Sequence, residues 1–202
     1  MKKFKIAFNA PVVLIFLLIC FIATLLGVLT DGYTTQLLFM TYHSSLTNPM
    51  TYVRFVTHVF GHSGWSHFLN NATYILLLGP MLEEKYGSKR LIIVMLVTAV
   101  ATGLINYIFF PNVALCGASG IVFAMIMLSS FTSFNAGELP ITAILVAVIY
   151  IGEQIYDGLT VSDNISNMAH IVGGIVGAII GYILNRKAKQ TDSTEELYHT
   201  IS

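Results

Sequence analysis

Long apolar runs separated by short polar stretches recur along almost the whole chain, and their lengths predict helices that cross a membrane. A hydrocarbon layer about 30 Å thick requires about 20 consecutive apolar residues in a helix. Residues 11–30 and 91–110 meet that requirement on hydropathy alone. Four further segments read as spans that tolerate polar residues. The run 65–82 carries His67, Asn70 and Asn71, and another starts inside Gly117-Ala118-Ser119-Gly120 and ends near Phe134. The run 139–157 ends in Glu153 and Gln154, and 166–184 carries His170 followed by a series of glycines. The expected fold class is all-α: a polytopic bundle of six transmembrane helices, with a long, partly structured loop at 31–64 between the first and second. In domain terms, residues 1–10 form a cytoplasmic N-terminus, 11–184 one membrane domain, and 185–202 a polar, mobile cytoplasmic tail.

Composition agrees with this pattern. Of 202 residues, 55% are hydrophobic and 10% charged, and the mean hydropathy of +0.76 exceeds what a soluble domain of this size can bury. Lys and Arg together equal Asp and Glu, so the formal net charge is zero and there is no basic stripe to capture nucleic acid. Lys2, Lys3 and Lys5 precede the first run as in a signal peptide. That run is longer than a usual signal core and no small-x-small cleavage site follows, so it reads as a retained span. Cys20 and Cys116 are not spaced as a metal or redox pair and read as buried small hydrophobes.

Orientation follows from the basic residues, which stay on the cytoplasmic side of span ends. An N-terminus inside places Lys2, Lys3, Lys5, Lys85, Lys89, Arg90, Arg186, Lys187 and Lys189 there and leaves only Arg54 outside. The second, fourth and sixth spans then enter from the outer side. Their polar groups His67, Asn71, Ser119 and His170 fall near those outer ends, at similar depth.

A polar group in hydrocarbon costs several kcal/mol unless paired, so these four residues demand an explanation. Ser119, between Gly117 and Gly120, fits either an accessible nucleophile at a helix start or a small residue for close helix packing. His170 is the residue type that removes a proton from a serine hydroxyl, and its bland alternative is an interhelical hydrogen bond. His67 and Asn71 are four apart on one helical face, where both could donate to a developing oxyanion or simply pair across spans. Asn70 points elsewhere and reads as structural. His58, His62 and His67 invite a metal reading, but no Glu follows His58 and no carboxylate completes a site, so loop-anchoring hydrogen bonds are expected and no metal or cofactor. Gly173, Gly177 and Gly181 form two overlapping G-x-x-x-G patterns, with Gly174 beside them, and would press the sixth span against the fourth.

Taken in order, several markers form a specific set: Arg54 ahead of Thr57-His58, the His58, His62, His67, Asn71 series, and Glu83 and Gly87 closing the second span. Gly117-Ala118-Ser119-Gly120 and Ala169-His170-x-x-Gly173-x-x-x-Gly177 complete it. With these the chain resembles the rhomboid intramembrane proteases in their minimal six-span bacterial form, over about residues 54–184. The resemblance implies Ser119 as nucleophile and His170 as general base in a dyad without aspartate. It implies an oxyanion hole of His67, Asn71 and the Ser119 N–H, with Gly117, Gly120, Gly173 and Gly177 as helix-packing support. It also implies membrane protein substrates with one or more spans, no nucleic acid partner, and a place in the bacterial inner membrane with the site open to the outer side. The segment 139–157, with Glu153 and Gln154, is the candidate lateral gate for substrate. Two residues depart from the family pattern: Val53, where Trp often precedes the loop arginine, and Phe123, where Tyr often follows the serine by one turn. A catalytically silent relative and a small transporter with a His67–His170 proton relay are the competing readings. The presence of both Ser119 and His170 opposes the first, and the lack of paired intramembrane carboxylates and of an inverted repeat opposes the second.

Overall fold

A computed structural model describes residues 8–132, 140–160 and 167–201. The described chain is helical: α1 (Pro11–Leu29), α2 (Tyr33–Leu38), α3 (Pro49–Thr57) running into a 3-10 turn (His58–Phe60), α4 (Trp65–Tyr86), α5 (Ser88–Phe109), α6 (Ser119–Ser129), α7 (Ile141–Thr160) and α8 (Asn167–Ile201). Among the described residues, three helices are long and apolar enough to cross a membrane: α1, α5 and the Asn167–Asn185 part of α8. They identify an integral membrane protein, and their large apolar side chains, such as Leu18, Ile93 and Ile179, face outward. Helix α4 is 22 residues long but carries His67, Asn70, Asn71, Glu83, Glu84 and Lys85. The apolar helix α6 has only 11 residues. It starts at Ser119, inside the bundle, because the chain before it is held in an extended segment described below. The polar stretch expected as a mobile tail continues α8 as helix to Ile201. The side chains of Glu153 and Gln154, on which the gate expectation rests, lie outside the described residues.

Helix α6 forms the centre. Ile121, Ala124, Met125 and Leu128 are fully buried among α4, α5 and α8. Such all-round burial explains why its sequence shows no polar face after Ser119.

Helix α1 begins with Pro11, whose ring suits the first helical position. Ala10 before it has no side-chain acceptor for the free N–H groups of the first turn. Glu83, from the far end of α4, supplies one: its two carboxylate oxygens accept from Val12 N and Val13 N, each at 3.1 Å. Ser88 Oγ donates to the same carboxylate at 2.6 Å, which fastens the starts of α1 and α5 side by side. Glu83→Ala orphans two buried donors and removes a negative charge from a helix N-terminus. It is expected to cost about 2 to 4 kcal/mol, read as a lower melting temperature in detergent, with Glu83→Gln in between.

The connection at 31–64 is anchored from within. Asn48 caps α3 by accepting from Met50 N at 3.0 Å. Arg54 is buried at 2% exposure, stacks on the Tyr42 ring, and donates to Tyr42 Oη at 2.8 Å and Ser44 Oγ at 3.0 Å. Val53 faces outward beside it. The departure at that position therefore leaves the arginine's seating untouched.

Candidate active site

Two polar links tie this loop to the segment that leads into α6. Thr41 and Leu115 pair as an isolated antiparallel bridge, exchanging N–H to O bonds of 2.9 and 2.8 Å. Two residues on, Gly117 N donates to His58 O at 2.9 Å. His58 is itself fixed: burial pushes its pKa down to about 4 and keeps the ring neutral. Its Nδ1 donates to Arg54 O at 3.1 Å, so Nε2 accepts from the Thr102 hydroxyl at 3.2 Å. The expected loop-anchoring histidine is thus also a strut for the glycine two residues before Ser119.

Gly117 does not support helix packing as expected. It has φ +124°, a conformation that suits glycine, and a β-carbon there would meet His67 Nε2 and Cε1 at 2.7 Å and Asn71 Nδ2 at 3.7 Å. The two donors expected for an oxyanion therefore converge beside this one α-carbon. His67 Nδ1 faces Ser63, receiving its N–H at 3.5 Å with Ser63 Oγ at 3.2 Å. A neutral ring arranged this way carries its proton on Nε2, toward Gly117. Asn71 is 4% exposed, and its Nδ2 is a buried donor with no partner among the described residues. Such a donor is costly at rest, which favours an anion arriving there. Asn70, as expected, lies on the exposed face of α4. The ring of His62 meets that of His67 edge-on at 5.0 Å, while its Nδ1 donates to Phe60 O at 3.2 Å.

Ser119 is the first residue of α6, so its N–H belongs to the first-turn donors without an intrahelical partner. Its Oγ lies 2.9 Å from His170 Nε2 on α8, 51 residues away in sequence. Both side chains are half-buried. Phe123, one turn along α6, stacks on the His170 ring at 4.3 Å and 8°, so the aromatic face is retained without a hydroxyl. Tyr150 of α7 bears edge-on against Phe123 at 4.1 Å. An apolar cavity of about 100 Å³ lies behind these rings, between α6, α7 and α8.

Glycines set the distance between Ser119 and His170. A β-carbon on Gly173 would stand 2.9 Å from Gly120 Cα and closer still to its carbonyl, and one on Gly177 would stand 2.7 Å from Ala124 Cα. Gly120 in turn sits against Thr102 and the Ala169 carbonyl. At Gly181 the neighbours are side chains, the Phe131 ring at 3.0 Å and Leu128 Cδ1 at 3.3 Å, and no backbone. Gly173→Val is therefore expected to cost about 1 to 3 kcal/mol and to remove most activity by separating Ser119 from His170. Gly181→Val, which meets side-chain atoms that can yield further than a backbone can, should spare activity more. Melting curves and steady-state kinetics on both variants check this, and equal activity losses at matched stability would reduce the glycines to general packing.

Sequence reasoning singled out Ser119 and His170, which stand 2.9 Å apart, and His67 and Asn71, which meet beside Gly117, but missed the cap by Glu83 and the strut from His58 to Gly117. A signal existed for the first: a helix opening at Pro11 behind Ala10 lacks a local cap. None existed for the second, which runs between backbone groups.

A protein-family model described as "Rhomboid domain" matches residues 49–187. The chain is 27% identical over 199 residues to rhomboid protease GlpG of Haemophilus influenzae, covering 95% of this chain and 99% of that protein. It is 25% identical over 153 residues to rhomboid-like protein 11, chloroplastic, of Arabidopsis thaliana, covering 69% of this chain and 55% of that protein. Against rhomboid-related protein 1 of Caenorhabditis elegans it is 31% identical over 140 residues, covering 65% and 39%. The aligned part thus spans about half or less of these last two relatives.

Proposed function

Because the chain belongs to the rhomboid family, we propose that it is an intramembrane serine endopeptidase that cuts membrane protein substrates with a Ser119–His170 dyad. The observation that carries the proposal is the 2.9 Å contact between Ser119 Oγ and His170 Nε2. His170 takes the hydroxyl proton as Ser119 attacks the scissile carbonyl, then returns it to the leaving amine. Negative charge developing on the carbonyl oxygen meets Asn71 Nδ2, His67 Nε2 and the Ser119 N–H, donors fixed before the reaction starts. Water, admitted from the outer aqueous phase, then hydrolyses the acyl-enzyme with His170 as base again. A helical substrate hides its carbonyls, so it must unwind locally to present one to Ser119.

In this reading six spans cross the bacterial inner membrane with both termini in the cytoplasm, which puts the excess of Lys and Arg inside and Arg54 outside. Substrate enters laterally past α7, and no metal or cofactor takes part. The test is a fluorophosphonate or isocoumarin probe on the detergent-purified chain, with a panel of single-span substrates alongside. The adduct is expected on Ser119, together with cleavage of at least one substrate that prior labelling blocks. An adduct mapped to another residue, or cleavage untouched by labelling, would sink the serine mechanism. An unlabelled, inactive but folded chain would identify a silent relative instead.

A further inference from the structure

A second apolar cavity, of about 280 Å³, opens between α1 and α5 and is lined at one point by Ile121 of α6. Ile15 and Ile19 on α1 face Ile92, Leu96 and Ala99 on α5, and all but Ala99 are 40% exposed or more. The two helices rise from a common end, because Glu83 holds both Val12 N and Ser88 Oγ. Val59 and Phe60, in the turn after α3, close the other end.

Three features specify what fits there. On α5 the groove is lined from Ile92 to Ala99, about 10 Å at 1.5 Å per residue, and with the further turn back to Lys89 the distance is about 15 Å, the depth of one leaflet of a hydrocarbon core about 30 Å thick. A membrane-spanning helix would overrun it. Lys89 stands three, seven and ten residues before Ile92, Leu96 and Ala99, hence on the face of α5 that lines the groove. Lys89 and Arg90 are exposed at the open end, beyond the Glu83 carboxylate that takes the Ser88 hydroxyl. Apolar walls with two cations at the mouth, together one leaflet deep, match an anionic lipid.

We propose that this groove seats one acyl chain of an anionic diacyl phospholipid, whose phosphate lies against Lys89 and Arg90. The chain's methyl end reaches the turn formed by Val59 and Phe60. That turn also carries the His58 carbonyl that holds Gly117, so the lipid braces the loop from below.

The experiment uses the full purified chain in phosphatidylcholine nanodiscs. These are doped with phosphatidylglycerol or phosphatidylcholine probes bearing the same diazirine-labelled acyl chain, and adducts are mapped by peptide sequencing. Phosphatidylglycerol adducts are expected to concentrate on residues 15–19 and 92–99, about tenfold above those of the phosphatidylcholine probe. Lys89→Gln with Arg90→Gln should bring the phosphatidylglycerol signal down to the phosphatidylcholine level. Leu96→Trp, an exposed position, should reduce groove adducts from both probes at unchanged melting temperature. Equal labelling by the two probes, or adducts spread over all outward faces, would overturn the proposal in favour of ordinary boundary lipid. Crosslinks from these residues to a second chain would overturn it in favour of a dimer. The readout is binding, so it stands or falls independently of peptide-bond cleavage.

Discussion

Ser119→Ala is expected to reduce cleavage of a single-span substrate by at least about 10³-fold while the protein expresses and melts as wild type, and His170→Ala should do the same. The contact at stake is a single hydrogen bond of 2.9 Å between half-buried groups, whose net worth to stability is about 1 kcal/mol. The close seating of α8 on α6 comes from glycines instead, so losing either polar side chain leaves the helix pair together. The double variant should be no worse than either single one, since the two act as a unit. Kinetics on purified variants in matched detergent check this, and full activity in either would remove the dyad from consideration.

Asn71→Ala should lower kcat by about 10²-fold with a smaller change in KM, because its bond forms fully only as charge develops on the carbonyl oxygen. Asn71 Nδ2 has no partner among the described residues at rest. Deleting it breaks no native hydrogen bond and removes a buried, unsatisfied donor. Adding His67→Ala should give less than the sum of the two effects, since both donors converge beside Gly117. A parallel fall in activity and melting temperature, both restored by an unrelated stabilising substitution, would show that Asn71 is a packing residue.

The candidate site was legible in the sequence because a membrane makes polar side chains conspicuous: against apolar spans, His67, Asn71, Ser119 and His170 stand out. Helices α1 and α5 were legible for the converse reason, their unbroken apolar length. What could not be read are contacts made by groups every residue possesses. The bridge between Thr41 and Leu115 and the bond from Gly117 N to His58 O use only backbone, so no residue type announces them. They change the meaning of Gly117, whose lack of a side chain admits the His67 ring and does not serve a helix contact. Glu83 is an intermediate case. Its place in the family pattern was visible, but its task depends on the start of a helix 70 residues earlier.

The backbone-to-backbone meeting of Gly173 with Gly120 also bears on protein engineering. Where two helices touch through side chains, a designer can widen or narrow the gap by choosing larger or smaller residues. Here no side chain lies between them to exchange, and the reach from Ser119 to His170 is set by how near two main chains can come. Transplanting the Ser119–His170 contact into another helical scaffold therefore requires the serine, the histidine and both glycines as one graft. A search of designed bundles for Ser and His alone would return pairs whose helices stand too far apart to react.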